Sequence, residues 1–309
     1  MIKKCAFIAS VLLAIACEKE LDVDLVNDNP KLVINALFTP DSTWMVDLTR
    51  NAHILDPYPT FPAVPDAVVT IVNQNNEIVE TLSYSKVKDT RSYPPADRGV
   101  YRGKIVPVHG QVYTIKAETN HTASVQATGR VPSAVHLTLL ETDSSHYQSD
   151  KKIEMKIGFS DRSDEKNYYQ IKILMKTKVS SWYPASAGAK DTIRTSYESE
   201  VRLESIDESP EINSGTIFPD NYFNGKAKTV RFNFQVSTPY TSPYSRQEYT
   251  DYRIVLMNVS EEYYKYFTSI NLYNDSNDNP LAQPVQIFNN IENGFGIFAG
   301  YSATMIRLK

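Results

Sequence analysis

The stretch NNIENGFGIFAGYS (Asn289–Ser302) decides how this chain is interpreted, because it contains Gly294, Gly296 and Gly300. Their spacing, G-x-G-x-x-x-G, is one residue longer than the dinucleotide-binding fingerprint. That fingerprint follows a strand and opens a helix whose N-terminus faces the pyrophosphate. Here the glycines are followed by YSATMIRLK, which alternates as a terminal strand. We therefore predict no nucleotide site, but a turn after IEN and a strand in which glycine permits close approach or a kink.

The residues before this stretch are also dominated by strand patterns. In NYYQIKILMKTKV, Tyr169, Ile171, Ile173 and Met175 fall on one face, and KIEMKIGFS, TSYESEVRLESI, KTVRFNFQVST and DYRIVLMNVS continue the pattern. These segments predict a second β-rich domain over residues 133–309.

One short amphipathic helix is predicted in that domain, in SEEYYKYFTSINLY. Ser260 is a suitable N-cap, and two glutamates in the first turn complement the helix dipole. Tyr263, Tyr266, Phe267 and Ile270 form an apolar stripe at helical spacing. A Tyr-rich stripe of this kind fits either a face that docks on the sheet or a sugar-binding platform.

Short strands separated by turn signals also fill residues 31–132. KLVINALF and WMVDLTRNAHIL flank the turn TPDST, and AVVTIVNQNNEIVETLSY predicts a hairpin that turns at Gln74–Asn76. Further strands lie in GVYRGKIVPVHGQVYTIKAET and SVQATGRVP. About seven such strands predict an immunoglobulin-like β-sandwich that ends at GRVP. The proline-rich PYPTFPAVP is expected to be an extended surface segment.

Composition agrees with a mainly β protein. The 309 residues include 20 Tyr and 12 Phe but only 11 Gly, and aromatic residues suit a pleated, half-buried surface. Hydrophobic residues make up 41% and charged residues 22%, which is typical of a globular chain. The net charge of −4 has the wrong sign for nucleic-acid binding, so no nucleic-acid partner is predicted.

The N-terminus predicts export and a lipid anchor. Lys3 and Lys4 precede the apolar run Cys5–Ala16, which is too short to span a bilayer but suits a signal peptide at residues 1–16. The following Cys17 makes the junction similar to the lipobox of bacterial lipoproteins, where the cysteine is acylated. An ordinary signal peptide with a cleavage site next to a cysteine is the alternative. Lipidation of Cys17 would account for the single cysteine left in the mature chain.

The acidic run after this cysteine, within residues 17–30, shows no apolar periodicity. It is expected to be a solvated tether. It also resembles the signal that sends Bacteroidota lipoproteins to the cell surface, and the two interpretations are compatible.

The sequence contains no recognisable catalytic or cofactor-binding motif. G-x-S-x-G and H-E-x-x-H are absent, and the five histidines are scattered. Asp275, Asn277 and Asn279 alternate as in an EF-hand, but Pro280 and Gln286 stand where Gly and Glu are needed. A looser calcium site or a polar loop that ends the helix remain as alternatives. Two-carboxylate hydrolysis leaves no sequence spacing to test. We predict no catalytic residue, metal ligand or cofactor.

Trp182 and Tyr183 are the only contact residues that the sequence suggests. They lie in SSWYPAS, which is expected to be a loop between strands. Exposed aromatic residues on a loop would suit contact with a ligand or a partner, and buried ones would be packing residues.

Several segments in order along the chain resemble a Bacteroidota lipoprotein family, domain of unknown function 4249. They are KLVINALFTPDSTWMVDLTRNAHILD, GVYRG with HGQVYTIKAE, FPDNYFNGK and DNPLAQPVQIFNNIENGFGIFAGYS. The resemblance implies an outer-membrane lipoprotein whose genes often lie near TonB-dependent transporters, and it transfers no catalytic residue. We expect a non-enzymatic accessory or ligand-binding subunit of such a transporter, active in nutrient uptake. A surface hydrolase acting on glycan or peptide and a structural or adhesive module are the alternatives.

Overall fold

The strands of this protein alternate buried and exposed side chains, and this alternation assembles two packed layers in each half of the chain. The computed structural model describes residues 30–52, 60–89, 96–120, 122–147, 150–184, 190–206, 217–236, 238–277 and 282–308. Its strands are β1 Leu32–Phe38, β2 Met45–Arg50, β3 Val68–Asn73, β4 Ile78–Asp89, β5 Ala96–Arg102, β6 Val112–Glu118, β7 Val125–Arg130, β8 Leu137–Tyr147, β9 Asp150–Ser160, β10 Tyr168–Pro184, β11 Lys190–Val201, β12 Glu204–Ser205, β13 Ile217–Pro219, β14 Ala227–Val236, β15 Thr241–Ser242, β16 Ser245–Val259 and β17 Phe295–Leu308. The described helix is α1, Glu261–Asn277. The mainly β prediction is confirmed.

The first half is a sandwich made by one hydrogen-bonded path of strands. The order is β17-β1-β2-β5-β4-β3-β6-β7, and the path folds so that β1 and β2 pack against β3, β6 and β7. In β1, Leu32, Ile34 and Ala36 are buried because every second side chain faces the core. Phe38 and Trp44 lie in the same core, with ring centroids 5.1 Å apart.

The second half is a sandwich of two sheets. The strands β11-β10-β16-β17 continue the large sheet, and a four-stranded sheet with the order β12-β14-β9-β8 packs against them. The core between the two sheets contains Ile157 of β9, Ile171 of β10, Phe232 and Phe234 of β14 and Leu256 of β16. The predicted boundary after residue 132 falls between Val131 of the first core and Val135 of the second.

Strand β17 belongs to both halves. Residues 295–300 pair in parallel with β1, and residues 301–308 pair antiparallel with β16. Phe298 is buried in the first core, while Ile306 and Leu308 pack against the second. One strand thus connects the two sandwiches through continuous backbone hydrogen bonding.

Helix α1 covers the outer face of this shared sheet. Tyr263 is buried, and its hydroxyl donates a hydrogen bond to Gln170 Oε1 at 2.7 Å. The rings of Tyr168 and Tyr264 stack with centroids 4.6 Å apart. Of the two alternatives for the aromatic stripe, the structure shows the one in which the stripe docks on the sheet.

The helix is longer than predicted. It continues past Tyr273 to Asn277, so that Asp275 and Asn277 lie in its last turn and not in a polar loop. The reason is that no Gly or Pro interrupts NDSN, and polar side chains on the solvent side of a docked helix cost little. Asn279 lies outside the described residues.

Candidate functional site

The glycines of the C-terminal stretch allow neighbouring backbones to approach closely. Gly296 has φ +110°, and a Cβ atom there would lie 2.0 Å from the carbonyl oxygen of Ile34. A Cβ atom on Gly300 would lie 2.1 Å from the carbonyl oxygen of Arg130. Both glycines lie in β17, where side chains would push apart the neighbouring backbones of β1 and the end of β7. The predicted close approach within a final strand is confirmed.

Asparagine side chains complete the turn before β17, a role that the sequence analysis missed. Asn290 Oδ1 accepts a hydrogen bond from the backbone N–H of Phe298 at 3.0 Å, and its Nδ2 donates to the carbonyl of Phe298 at 2.9 Å. Asn293 has φ +62°, a conformation that asparagine tolerates well. Repeated asparagines beside glycine were the available signal, since these residues favour turns.

A groove lies on the outer face of the first sandwich. We call it the sandwich groove; its volume is about 860 Å³. Its lining comes from separate parts of the chain, namely Val33, Asn35, Asp47, Thr49, Asn51, Phe61, Pro62, Ala63, Asp97, Arg98, Gly99 and Phe295.

The strand pattern explains how the floor of this groove arises. Val33 and Asn35 alternate with the buried residues of β1, so they face outward. The segment around Pro62 runs beside β2, because Arg50 N–H donates to the carbonyl of Pro62 at 3.2 Å. That segment forms a wall of the groove, in agreement with the predicted extended surface segment for its described part.

Exposed aromatic rings and paired charges meet in the sandwich groove. Phe61 is 63% exposed and Phe295 is 43% exposed. Lys31 Nζ lies 5.4 Å from the centroid of the Phe295 ring, which is cation–π distance. Arg98 Nη1 pairs with Asp47 Oδ2 at 2.8 Å. This combination suits non-covalent contact with a ligand or partner that has both apolar and polar groups.

Two carboxylates of the groove form ion pairs. Asp97 pairs with Lys88 at 2.7 Å, and the hydrogen bond and charge of Lys88 lower the pKa of that carboxyl. A general acid in glycoside hydrolysis needs a raised pKa, so Asp97 is better suited to present a fixed negative charge. The described lining includes no Ser, Cys or His.

A serine and a histidine do meet between the two sandwiches, but the geometry is structural. His109 Nδ1 lies 3.0 Å from Ser302 Oγ, and Ser302 is 1% exposed. The hydroxyl of Ser302 donates to the carbonyl of Pro132 at 2.5 Å. Ser302 therefore accepts from His109, whereas a nucleophilic serine must donate to its base. Three histidines, His53, His121 and His146, have no described side chain.

The expected aromatic loop is a strand. Trp182 and Tyr183 lie in β10 and pair with Thr192 and Asp191 of β11, so the loop prediction is wrong. Pro184 is the last residue of β10, where a missing N–H interrupts no further pairing. Trp182 is half-buried and lies outside the sandwich groove. The side chain of Tyr183 lies outside the described residues, so its contacts stay a prediction.

Three further predictions concern the anchor, the membrane and metal binding. Cys17 and the tether lie outside the described residues, so lipidation stays a prediction. In the part of the chain that the structure describes, no helix is long and apolar enough to cross a membrane. Within the same ranges, no three His, Cys, Asp or Glu side chains are grouped to hold a metal ion.

Comparison with known proteins identifies a family. No curated protein matches the chain. A family model described as "Domain of unknown function (DUF4249)" matches residues 18–307, which is nearly the whole of the structure described above. The matched range includes both sandwiches and the glycine-containing strand β17. The chain belongs to the family defined by this domain of unknown function.

Proposed function

We propose that this protein is a non-enzymatic, lipid-anchored binding protein of the bacterial outer membrane, in a member of the Bacteroidota. Acyl chains on Cys17 would hold it in the membrane, and one acyl chain alone binds only reversibly. Its role would be that of an accessory or ligand-binding subunit of a TonB-dependent transporter. The lipobox-like sequence supports the anchor, and the family resemblance supports the transporter.

The sandwich groove is the observation that carries the binding role. A volume of about 860 Å³ lies within the range of ~300–1,000 Å³ that is usual for ligand sites. Phe61 lines the groove and 63% of its surface is exposed, so its apolar ring is not there to pack in a core. Aromatic anchors beside a rim of charges are typical of interaction sites.

The position of the groove favours a partner in the same membrane. Lys31 N–H donates to Asn51 Oδ1 at 2.6 Å, so the first described residues lie at the groove itself. Residues 17–30 reach at most ~45 Å when fully extended, at ~3.5 Å per residue. A lipid anchor on Cys17 therefore keeps the groove close to the membrane and to any transporter embedded in it.

The anchor is tested with Cys17→Ala. We expect the variant to lose metabolic labelling with a fatty-acid probe and to move from the membrane fraction to the soluble fraction. Unchanged labelling and membrane attachment would refute acylation at this cysteine.

The accessory role is tested by purification of the tagged full-length protein from native membranes after mild detergent extraction. We expect a TonB-dependent transporter to co-purify and Phe61→Ala to reduce its yield at least tenfold. Tyr240→Ala is the matched control, because Tyr240 is 61% exposed and does not line the groove. Recovery of the wild-type protein alone would contradict the transporter role. Equal yields for both variants would contradict the role of the groove.

A further inference from the structure

The large sheet ends at strand β11, which is exposed along most of its length. β11 pairs with β10 over all its residues, Lys190–Val201, without a register shift. On its other side it pairs with no described strand. The side chains of residues 193–198 are all exposed. An edge strand of this length presents a row of free backbone N–H and C=O groups, which can pair with another strand.

The other sheet edges in the described ranges are protected against such pairing. β12, β13 and β15 have only two or three residues each. β7 is covered, because Gln126 forms a β-bridge with Glu292. β8 has a register shift between Leu139 and Glu141, and its described charged side chains are acidic, so that two copies would repel each other. Short, covered and bulged edges are the means by which proteins prevent edge pairing. β11 has none of these protections.

The charges of β11 make this edge complementary to itself. Arg194 and Glu198 are separated by four residues, with Ser196 midway between them. A second copy that pairs antiparallel about a twofold axis at Ser196 places its Glu198 directly opposite Arg194. The symmetry repeats this pair on the other side of the axis. Opposite charges in directly facing positions stabilise a strand pair.

Both charged groups are available for this contact. Arg194 is exposed, and its guanidinium has no ion-pair partner in the part of the chain that the structure describes. Glu198 pairs through Oε2 with Arg253 of β16, and 43% of its side chain is exposed. A carboxylate has a second oxygen that can accept further hydrogen bonds. Glu198 can therefore accept from a second copy without giving up its own partner.

Apolar side chains lie beside the same axis on the opposite face of the strand. Ile193 is 52% exposed and Tyr197 is 50% exposed. With the axis at Ser196, Tyr197 faces Thr195 of the second copy, and Ile193 lies diagonally across from Tyr197 of that copy. Cross-strand pairs of an aromatic and a β-branched residue stabilise a sheet. The register that pairs the charges therefore also covers exposed apolar surface.

We propose that β11 is a dimerisation edge, which pairs antiparallel with β11 of a second copy of this chain about a twofold axis at Ser196. Residues 191–201 of the two strands then face each other, which adds about ten backbone hydrogen bonds. The large sheet continues from one copy into the other. This interface is separate from the sandwich groove and does not depend on the proposed transporter role.

The register is tested by disulfide cross-linking of the full-length protein. The two native cysteines, Cys5 and Cys17, are first replaced by alanine. Ser196→Cys then places each new thiol opposite its own copy, where Cα atoms lie ~4.5–5.5 Å apart, a separation that a disulfide can bridge. We expect a disulfide-linked dimer to form on mild oxidation. Ser144→Cys is the matched control, because Ser144 is also exposed on an edge strand, β8, and should stay monomeric.

The charge pairing is tested by Arg194→Glu in the same cysteine-free background. The substitution places like charges opposite each other on both sides of the axis. We expect the dissociation constant of the dimer to rise about tenfold or more, measured by analytical ultracentrifugation. Arg102→Glu is the matched control, because Arg102 is an exposed arginine of β5 in the first sandwich and should leave dimerisation unchanged. Far-UV circular dichroism checks that both variants are folded.

Three results would overturn the proposal: a wild-type protein that is monomeric at the highest concentration measured, equal cross-linking of the two cysteine variants, or unchanged dimerisation of Arg194→Glu. Cross-linking of the Ser196→Cys variant to a different protein in native membranes, with the pure protein monomeric, would assign the edge to another partner and would refute pairing with a second copy.

Discussion

Replacing Gly296 by alanine should lower the free energy of unfolding of the first sandwich. The loss should be larger than at a glycine that is required only for its positive φ. The Cβ atom at residue 296 would lie 2.0 Å from the carbonyl oxygen of Ile34, a separation that real Cβ atoms do not show. At least ~1 Å of movement between β17 and β1 is needed, which weakens about two ladder hydrogen bonds of ~1 kcal/mol each. The left-handed φ of +110° adds ~1–3 kcal/mol. We expect a total loss of about 3–5 kcal/mol.

Two further glycines separate the contributions to this loss. Gly110 has φ +75° with nothing within 4 Å of its Cβ position, so Gly110→Ala should cost only the backbone strain, ~1–2 kcal/mol. Gly300 has no left-handed φ, but its Cβ would lie 2.1 Å from the carbonyl oxygen of Arg130. Gly300→Ala therefore reports the steric contribution alone.

The assay is urea unfolding at 25 °C followed by tryptophan fluorescence. The chain has two tryptophans, and Trp44 is buried in the first core. A Trp182→Phe background makes Trp44 the only reporter, so the signal follows the sandwich that contains residues 295–300. A Gly296→Ala variant no less stable than Gly110→Ala would refute the argument from close strand approach.

Three other perturbations follow from the same contacts. Tyr263→Phe leaves Gln170 Oε1 without its donor in a buried site, and the urea midpoint should reflect a loss of ~1–3 kcal/mol. Asn290→Ala removes two hydrogen bonds to the backbone of Phe298, and hydrogen exchange at that amide should accelerate at least tenfold. Burial, with a smaller contribution from a neighbouring tyrosine, raises the pKa of Tyr252 to about 12 from the usual 10. Its contribution to stability is therefore complete below pH 10 and is lost as the pH rises toward 12. Tyr252→Phe should lose less stability than the wild type between those pH values, measured by urea midpoints.

Local patterns were sufficient for the strands whose two faces differ. In β1, alternation from Leu32 to Phe38 specifies both the strand and the buried face. The sequence does not predict β8, because ETDSSHY at the end of this strand is polar. The strand is held by backbone pairing with β9, which the pattern of side chains does not indicate. The proline at residue 184 predicts a loop around Trp182, but the aromatic residues before it favour a strand, and a proline at the end of a strand does not prevent its pairing.

Local sequence patterns could not predict which residues line the candidate site. The sandwich groove combines Val33, Thr49, Phe61, Arg98 and Phe295, which come from four strands and a proline-rich segment. None of these residues forms a recognisable motif in its own segment. Phe295 lies beside Val33 only because β17 pairs with β1. The glycine stretch was the exception, because strands that approach this closely require glycine, and glycine is visible in the sequence.

The pairing of β17 with β1 also fixes a sequence of events during biosynthesis. A ribosome must add more than half of the protein after GRVP before residues 295–300 exist to lie beside β1. Contacts with such sequence separation form slowly, because the long intervening segment must first be closed. Until then the nascent first sandwich has an open edge at β1, so the first half of the chain cannot complete its backbone hydrogen bonding until the last strand has been made.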